Sequence, residues 1–169
     1  DGPELAVYVD PNGSDSNAGT PAAPMETIGG GLARATAIGA TQMYLVSATY
    51  NISAPIDLND QSIDIVGGFS RNGNTWTNSG GVSTIVHDGT PGDRRVFAVL
   101  ARNVTGTLAN LNLTVRQAQG VGIDHFGIWA PSANNLRLQN VSVDVPAGTD
   151  GTNGVNGNNG NNGEPQFDR

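Results

Sequence analysis

Three groups of side chains in this sequence have the residue types for chemistry. The first is Asp88, Asp93 and Arg94, in the stretch His87-Asp88-Gly89-Thr90-Pro91-Gly92-Asp93-Arg94-Arg95. Carboxylates beside guanidinium groups and an imidazole are the parts of a proton-transfer set, and these three are the candidate catalytic residues. The competing reading is a polar turn whose surface ion pairs contribute little. The second group is Asp124, His125 and Trp129, with Phe126 between them. An acid, an imidazole and an indole could hold a sugar, the indole stacking on its apolar face. The same aromatics could instead close a small satellite core under a loop. The third group is Asp10, Asp15 and Asn17, whose oxygens suit calcium, a hard cation. Short Asp and Asn side chains also build turns by bonding nearby backbone N–H groups. Further acids stand at Asp57, Asp60 and Asp64.

The charge balance narrows the partners. All eight basic residues are Arg, and the net charge is −7. Nucleic acid and anionic membranes attract clustered Lys and Arg, so neither is an expected partner. The same acidity serves solubility outside a cell. There is no Cys, hence no disulfide framework and no thiol chemistry. No apolar run reaches the length needed to cross a bilayer as a helix. The chain starts at Asp1 without an initiator Met, consistent with removal of a signal peptide or with a chosen starting point, and a secreted or cell-surface protein is expected. The triplets starting at Asn51, Asn103, Asn112 and Asn140 match the glycosylation pattern and carry little weight in so Asn-rich a chain.

These residues must be positioned by short strands. Gly is abundant at 24 residues and aromatics are 5%, which favours tight turns and an aliphatic interior. Residues 1–39 read as a strand, Leu5-Ala6-Val7-Tyr8-Val9, an ordered loop and a helix. The helix is expected over 24–38, with Pro24 at its first position and Glu26 in its first turn. Ile28, Leu32, Ala35 and Ile38 form its apolar face, Gly29-Gly30-Gly31 weakens it, and Gly39 stops it.

Residues 40–147 alternate apolar and polar in short runs divided by turn residues. Asn110-Leu111-Asn112-Leu113-Thr114-Val115 is matched by Asn140-Val141-Ser142-Val143-Asp144-Val145. A strand pattern repeated at this interval indicates stacked coils, with the Asn of one coil at a bend bonding the next. Residues 116–135 are then expected to loop outward before rejoining the stack. A β-sandwich is the structural rival. Residues 148–169 place Gly at 148, 151, 154, 157, 160 and 163. The spacing is collagen-like, but Pro is absent until Pro165, so a loop, a tail or an extended segment lying on the body is expected.

The stretch from Val7-Tyr8-Val9-Asp10-Pro11-Asn12-Gly13-Ser14-Asp15 to Pro24-Met25-Glu26-Thr27-Ile28 resembles the N-terminal motif of the pectin-lyase-like parallel β-helix superfamily, in its extracellular bacterial surface branch. Tyr44-Leu45-Val46-Ser47-Ala48-Thr49-Tyr50 is similar to that family's first coil, and Ile63-Asp64-Ile65-Val66-Gly67-Gly68-Phe69 with Trp76 to a later one. The resemblance implies an all-β fold: a right-handed, single-stranded parallel β-helix with an N-terminal capping helix. It implies either a surface, adhesion or carbohydrate-binding module, or a fragment of a polysaccharide lyase or other carbohydrate-active enzyme. Lyases of this type abstract a proton beside a sugar carboxylate, using calcium held by Asp and a basic residue. A third reading is a purely structural segment of a larger protein. The expected partners are a polysaccharide or cell-surface glycan, and a continuation of the protein or another chain over the open solenoid end.

Overall fold

The computed structural model of the protein describes residues 5–132, 135–155 and 157. It is mostly strand with one short helix, and its parallel sheets curl into a half-barrel. After β1 (Ala6–Val9) comes α1 (Ile28–Ile38). The strands then follow in successive passes. The first pass is β2 (Gln42–Val46), β3 (Thr49–Ile52) and β4 (Ile56–Asp57). The second is β5 (Asp64–Asn72), β6 (Thr75–Asn78), β7 (Ser83–His87) and β8 (Arg95–Leu100). The third is β9 (Thr105–Val115) and β10 (Asp124–Trp129), and β11 (Asn135–Asp144) begins a fourth.

Equivalent strands of successive passes pair in parallel. An eight-stranded sheet runs β1-β2-β5-β9-β7-β3, with β11 on β9 and β6 on β5; a three-stranded sheet runs β10-β8-β4. Among the described residues only the β5–β6 pair is antiparallel. The register lines up side chains of one kind. Val7, Met43, Ile65, Leu108 and Leu138 are successive partners, as are Tyr50, Ile85, Leu113 and Val143. All but the last member of each row are buried. Each strand half-buries its pleat, so alternate aliphatics meet in one core shared by the passes.

The bends between strands are fixed by local chemistry. Asp60, Asn103, Asn110 and Asn140 are the non-glycine residues with positive φ among the described residues. Asp and Asn tolerate this left-handed conformation better than other side chains. They stack: Asn140 Nδ2 donates to Asn110 Oδ1 at 2.9 Å, and Asn103 Nδ2 to Asp60 Oδ1 at 3.1 Å. The expected Asn contact between passes is thus present. One bend earlier stands Gly68, at φ 85°. A Cβ there would lie 2.3 Å from the Gly81 carbonyl oxygen, so the close return of the chain requires glycine.

Two expectations need correction. The helix starts at Ile28, not Pro24, because Thr27 caps it by accepting from Gly30 N; Glu26 lies outside the first turn. Gly39 ends it in the left-handed conformation, as expected. Gly31 is no defect, since its bare Cα faces Met43 Sδ and Val9 Cγ2, each 2.7 Å from where a Cβ would sit. The described residues of the stretch 116–135 do not loop outward. They include β10, which lies on β8 in the second sheet. The excursion from the stack is instead the β5–β6 hairpin.

Candidate functional site

The loops 88–94 and 116–123 leave the same corner in successive passes, between the two sheets. His87 ends β7 opposite Val115, and His125 lies opposite Val96. Both imidazoles are buried. His87 Nδ1 accepts from Gly89 N at 3.2 Å, so the ring proton sits on Nε2. Burial pushes His87 below the ordinary imidazole range, against the opposing pull of Asp88. His125 Nε2 accepts from Ala118 N at 3.0 Å, while its buried Nδ1 has no hydrogen-bond partner among the described residues.

The catalytic candidates are spread over the surface of this corner. Asp88 is exposed and Oδ1 accepts from Thr90 N at 2.8 Å, an Asx turn. That Thr90 contact lowers the Asp88 carboxyl from its ordinary range. Asp88 Oδ1 lies 3.8 Å from His87 Nδ1. Asp93 and Arg94 are exposed, and Arg94 Nε donates to Gly122 O at 3.3 Å, tying the two loops together. The adjoining cleft, lined by Pro55, His87, Pro91, Val96 and Phe97 among others, encloses about 140 Å³. Small-molecule pockets generally begin at roughly 300 Å³. Asp88, Asp93 and Arg94 do not line this cleft and stand exposed beside it.

The ligand-binding candidates separate. His125 points into the core, and Asp124 is exposed at the start of β10. Trp129 lies with its ring centroid 5.2 Å from that of Phe97. The Arg95 guanidinium carbon is 4.7 Å from the Trp129 ring centroid, a cation–π contact.

The calcium candidates each have another task. Asp10 is buried, accepts from Asn12 N and pairs with Arg71 Nη1 at 3.0 Å. Asp15 Oδ1 accepts from the backbone N–H groups of Glu26 and Thr27, and Oδ2 from the Thr27 hydroxyl. Burial works against ionisation there, but these bonds outweigh it and lower the carboxyl. Asn17 donates its amide to Pro24 O at 2.8 Å. Among the described residues no three His, Cys, Asp or Glu side chains stand together as a metal set. Asp57, Asp60 and Asp64 are likewise engaged with Asn59, Asn103 and Thr107.

A second aromatic group was not singled out from sequence. Tyr8, Tyr44, Phe69 and Trp76 form a chain of contacts with centroids 4.8–6.4 Å apart. The β5–β6 hairpin carries Trp76 onto Tyr8, and its indole N–H donates to Pro21 O. The available signal was the shared aliphatic–Tyr–aliphatic pattern of Val7-Tyr8-Val9 and Met43-Tyr44-Leu45. The rings are tilted against one another and partly buried, which makes them a satellite core that locks the N-terminal loop.

Comparison with known proteins finds no matching family model, no matching curated protein and no matching solved structure.

Proposed function

We propose that this chain is an extracellular or cell-surface module that engages glycan on the outside of a right-handed, single-stranded parallel β-helix. The fold reading is supported by equivalent strands pairing in parallel pass after pass, and right-handed crossovers are the rule in such sheets. The observation that carries the function is the Arg95–Trp129–Phe97 group beside Arg94. An indole offers an apolar face to a sugar ring, and a guanidinium fork binds hydroxyl or carboxylate oxygens. Arg95 is exposed and Trp129 and Phe97 are half-buried, so the group borders solvent on the outer face of the second sheet.

Isothermal titration against neutral and uronic-acid oligosaccharides, with and without calcium, tests the reading. Binding should weaken about tenfold in Trp129→Ala and in Arg95→Ala, the scale of one aromatic or charge-assisted contact. Absence of binding to the whole panel would overturn it. Undiminished binding by both variants would overturn the placement of the site. Release of unsaturated or shortened sugars would replace it with the carbohydrate-active enzyme reading, and loss of that turnover in Asp88→Ala or Asp93→Ala would place the chemistry.

A further inference from the structure

The outer edge of β11 has no strand partner among the described residues. After Asp144 the chain runs along the third pass, where Thr149 N donates to Ile123 O and Gly122 N to Asp150 O. Leu138 and Val143 are left 50% and 48% exposed. Their register partners Leu108 and Leu113 are 1% and 0% exposed. An apolar edge of this kind is a template for another strand.

The free backbone groups on this edge can be assigned. Asn135 N donates to Val104 O, so residues 135, 137 and 139 face β9, and Leu136 and Leu138 face outward. Beyond the bend, Arg116 N donates to His87 O, which turns Leu111 and Leu113 of β9 towards β11. Their bonds reach the residues flanking Val141 and Val143, so those two face outward. The outward residues thus change from even to odd numbers across Asn140, whose φ is 50°.

We infer that this edge pairs with a second copy of itself, antiparallel, about a two-fold axis between Asn140 and Val141. In that register Leu138 stands opposite Val143 of the second copy, and both residues present free N–H and C=O groups to each other. Leu136 stands opposite Val145 in the same sense. On the other face, Arg137 stands opposite Asp144 of the second copy, and neither makes an ion pair among the described residues. The axis runs through the bend, so the arm before Asn140 in one copy meets the arm after it in the other. Every contact occurs twice, and the pairing closes instead of propagating. Opposite charges and aliphatic pairs directly across an antiparallel ladder are its stabilising units.

Sedimentation equilibrium of the protein and four variants tests the inference. The wild type should form a dimer in the concentration range of weak protein pairs, up to about 100 µM. Leu138→Lys should be monomeric. Arg137→Asp alone and Asp144→Arg alone should each weaken the dimer roughly tenfold, because each places like charges together at two sites. The variant carrying both should recover wild-type association. Circular dichroism separates lost pairing from lost folding, since both charged positions are exposed. A monomeric wild type, open-ended oligomers, or a double variant no better than the single ones would overturn the proposal. The last result would indicate a partner strand running parallel, with Leu over Leu.

Discussion

β9 and β11 carry the same pattern thirty positions apart and meet different fates. Leu108, Leu111 and Leu113 of β9 are sealed between passes, while Leu138 and Val143 of β11 are half in water. The bend is the same in both, at Asn110 and Asn140, with φ of 55° and 50°. Burial in this fold is thus a property of position in the stack: a strand becomes core when the next strand covers it. The backbone conformation is set locally, and the energy is supplied by the neighbour.

The difference should show first in truncations. Leu113→Ala should cost about 2–5 kcal/mol in urea unfolding, the range for a sealed leucine. A cost near zero would mean that the β9 interior is not packed. Next, Asn110→Ala should cost about 1–2 kcal/mol, because alanine in the left-handed conformation is strained and the Asn140 amide loses its acceptor. Asn140→Ala should cost less, since a strand covered on one side can relax; equal costs would break the contrast.

The buried corner adds a pH dependence. His87 lies opposite Val115 at the end of β9, with its folded pKa below the unfolded value. The unfolded chain therefore binds the extra proton first. Stability from this group should be complete above about pH 6.5 and should fall as pH drops towards the folded pKa, by at most about 1.4 kcal/mol per pH unit. His87→Leu should flatten that slope in thermal melts between pH 7 and 5. Smallest of all, Val143→Ala should change stability by less than about 0.5 kcal/mol in dilute solution, as exposed substitutions do. A larger loss would mean that β11 is already covered.

Much of the architecture was legible because stacked strands repeat their pattern. The pair 110–115 and 140–145 marked two strands that pair in the sheet, and Asn at the bend marked the contact between passes. The pairing of the second sheet was not legible, because β10 lies between the repeats at 110–115 and 140–145, in a stretch whose length read as an outward loop. Gly127 is small because a Cβ there would lie 2.1 Å from Val143 Cγ1, a contact no spacing discloses. The helix start was misplaced for a similar reason. Asp15, far away in sequence, holds the N–H groups of Glu26 and Thr27, so the cap is set by a tertiary contact. Of the candidate site, Trp129 was legible as an indole grouped with Asp124 and His125, but its partner Arg95 was invisible until β8 and β10 were paired.

The β5–β6 hairpin leaves the stack at a bend and returns within touching distance of its departure, with Ser79 N donating to Gly68 O. Across it, Asn110 reaches back 43 positions to Gly67, whereas Asn140 reaches back only 30 to Asn110. On either side of the hairpin β9 still pairs in parallel, with β5 before it and β7 after it, while the β2–β5 register slips by one residue at the bend itself. Such a corner works as a splice point. Lengthening an insert there costs only about 0.6 kcal/mol for each doubling of its length. A lineage could therefore change what this scaffold displays, exchanging one surface hairpin for another, while the stacked interior stays as it is.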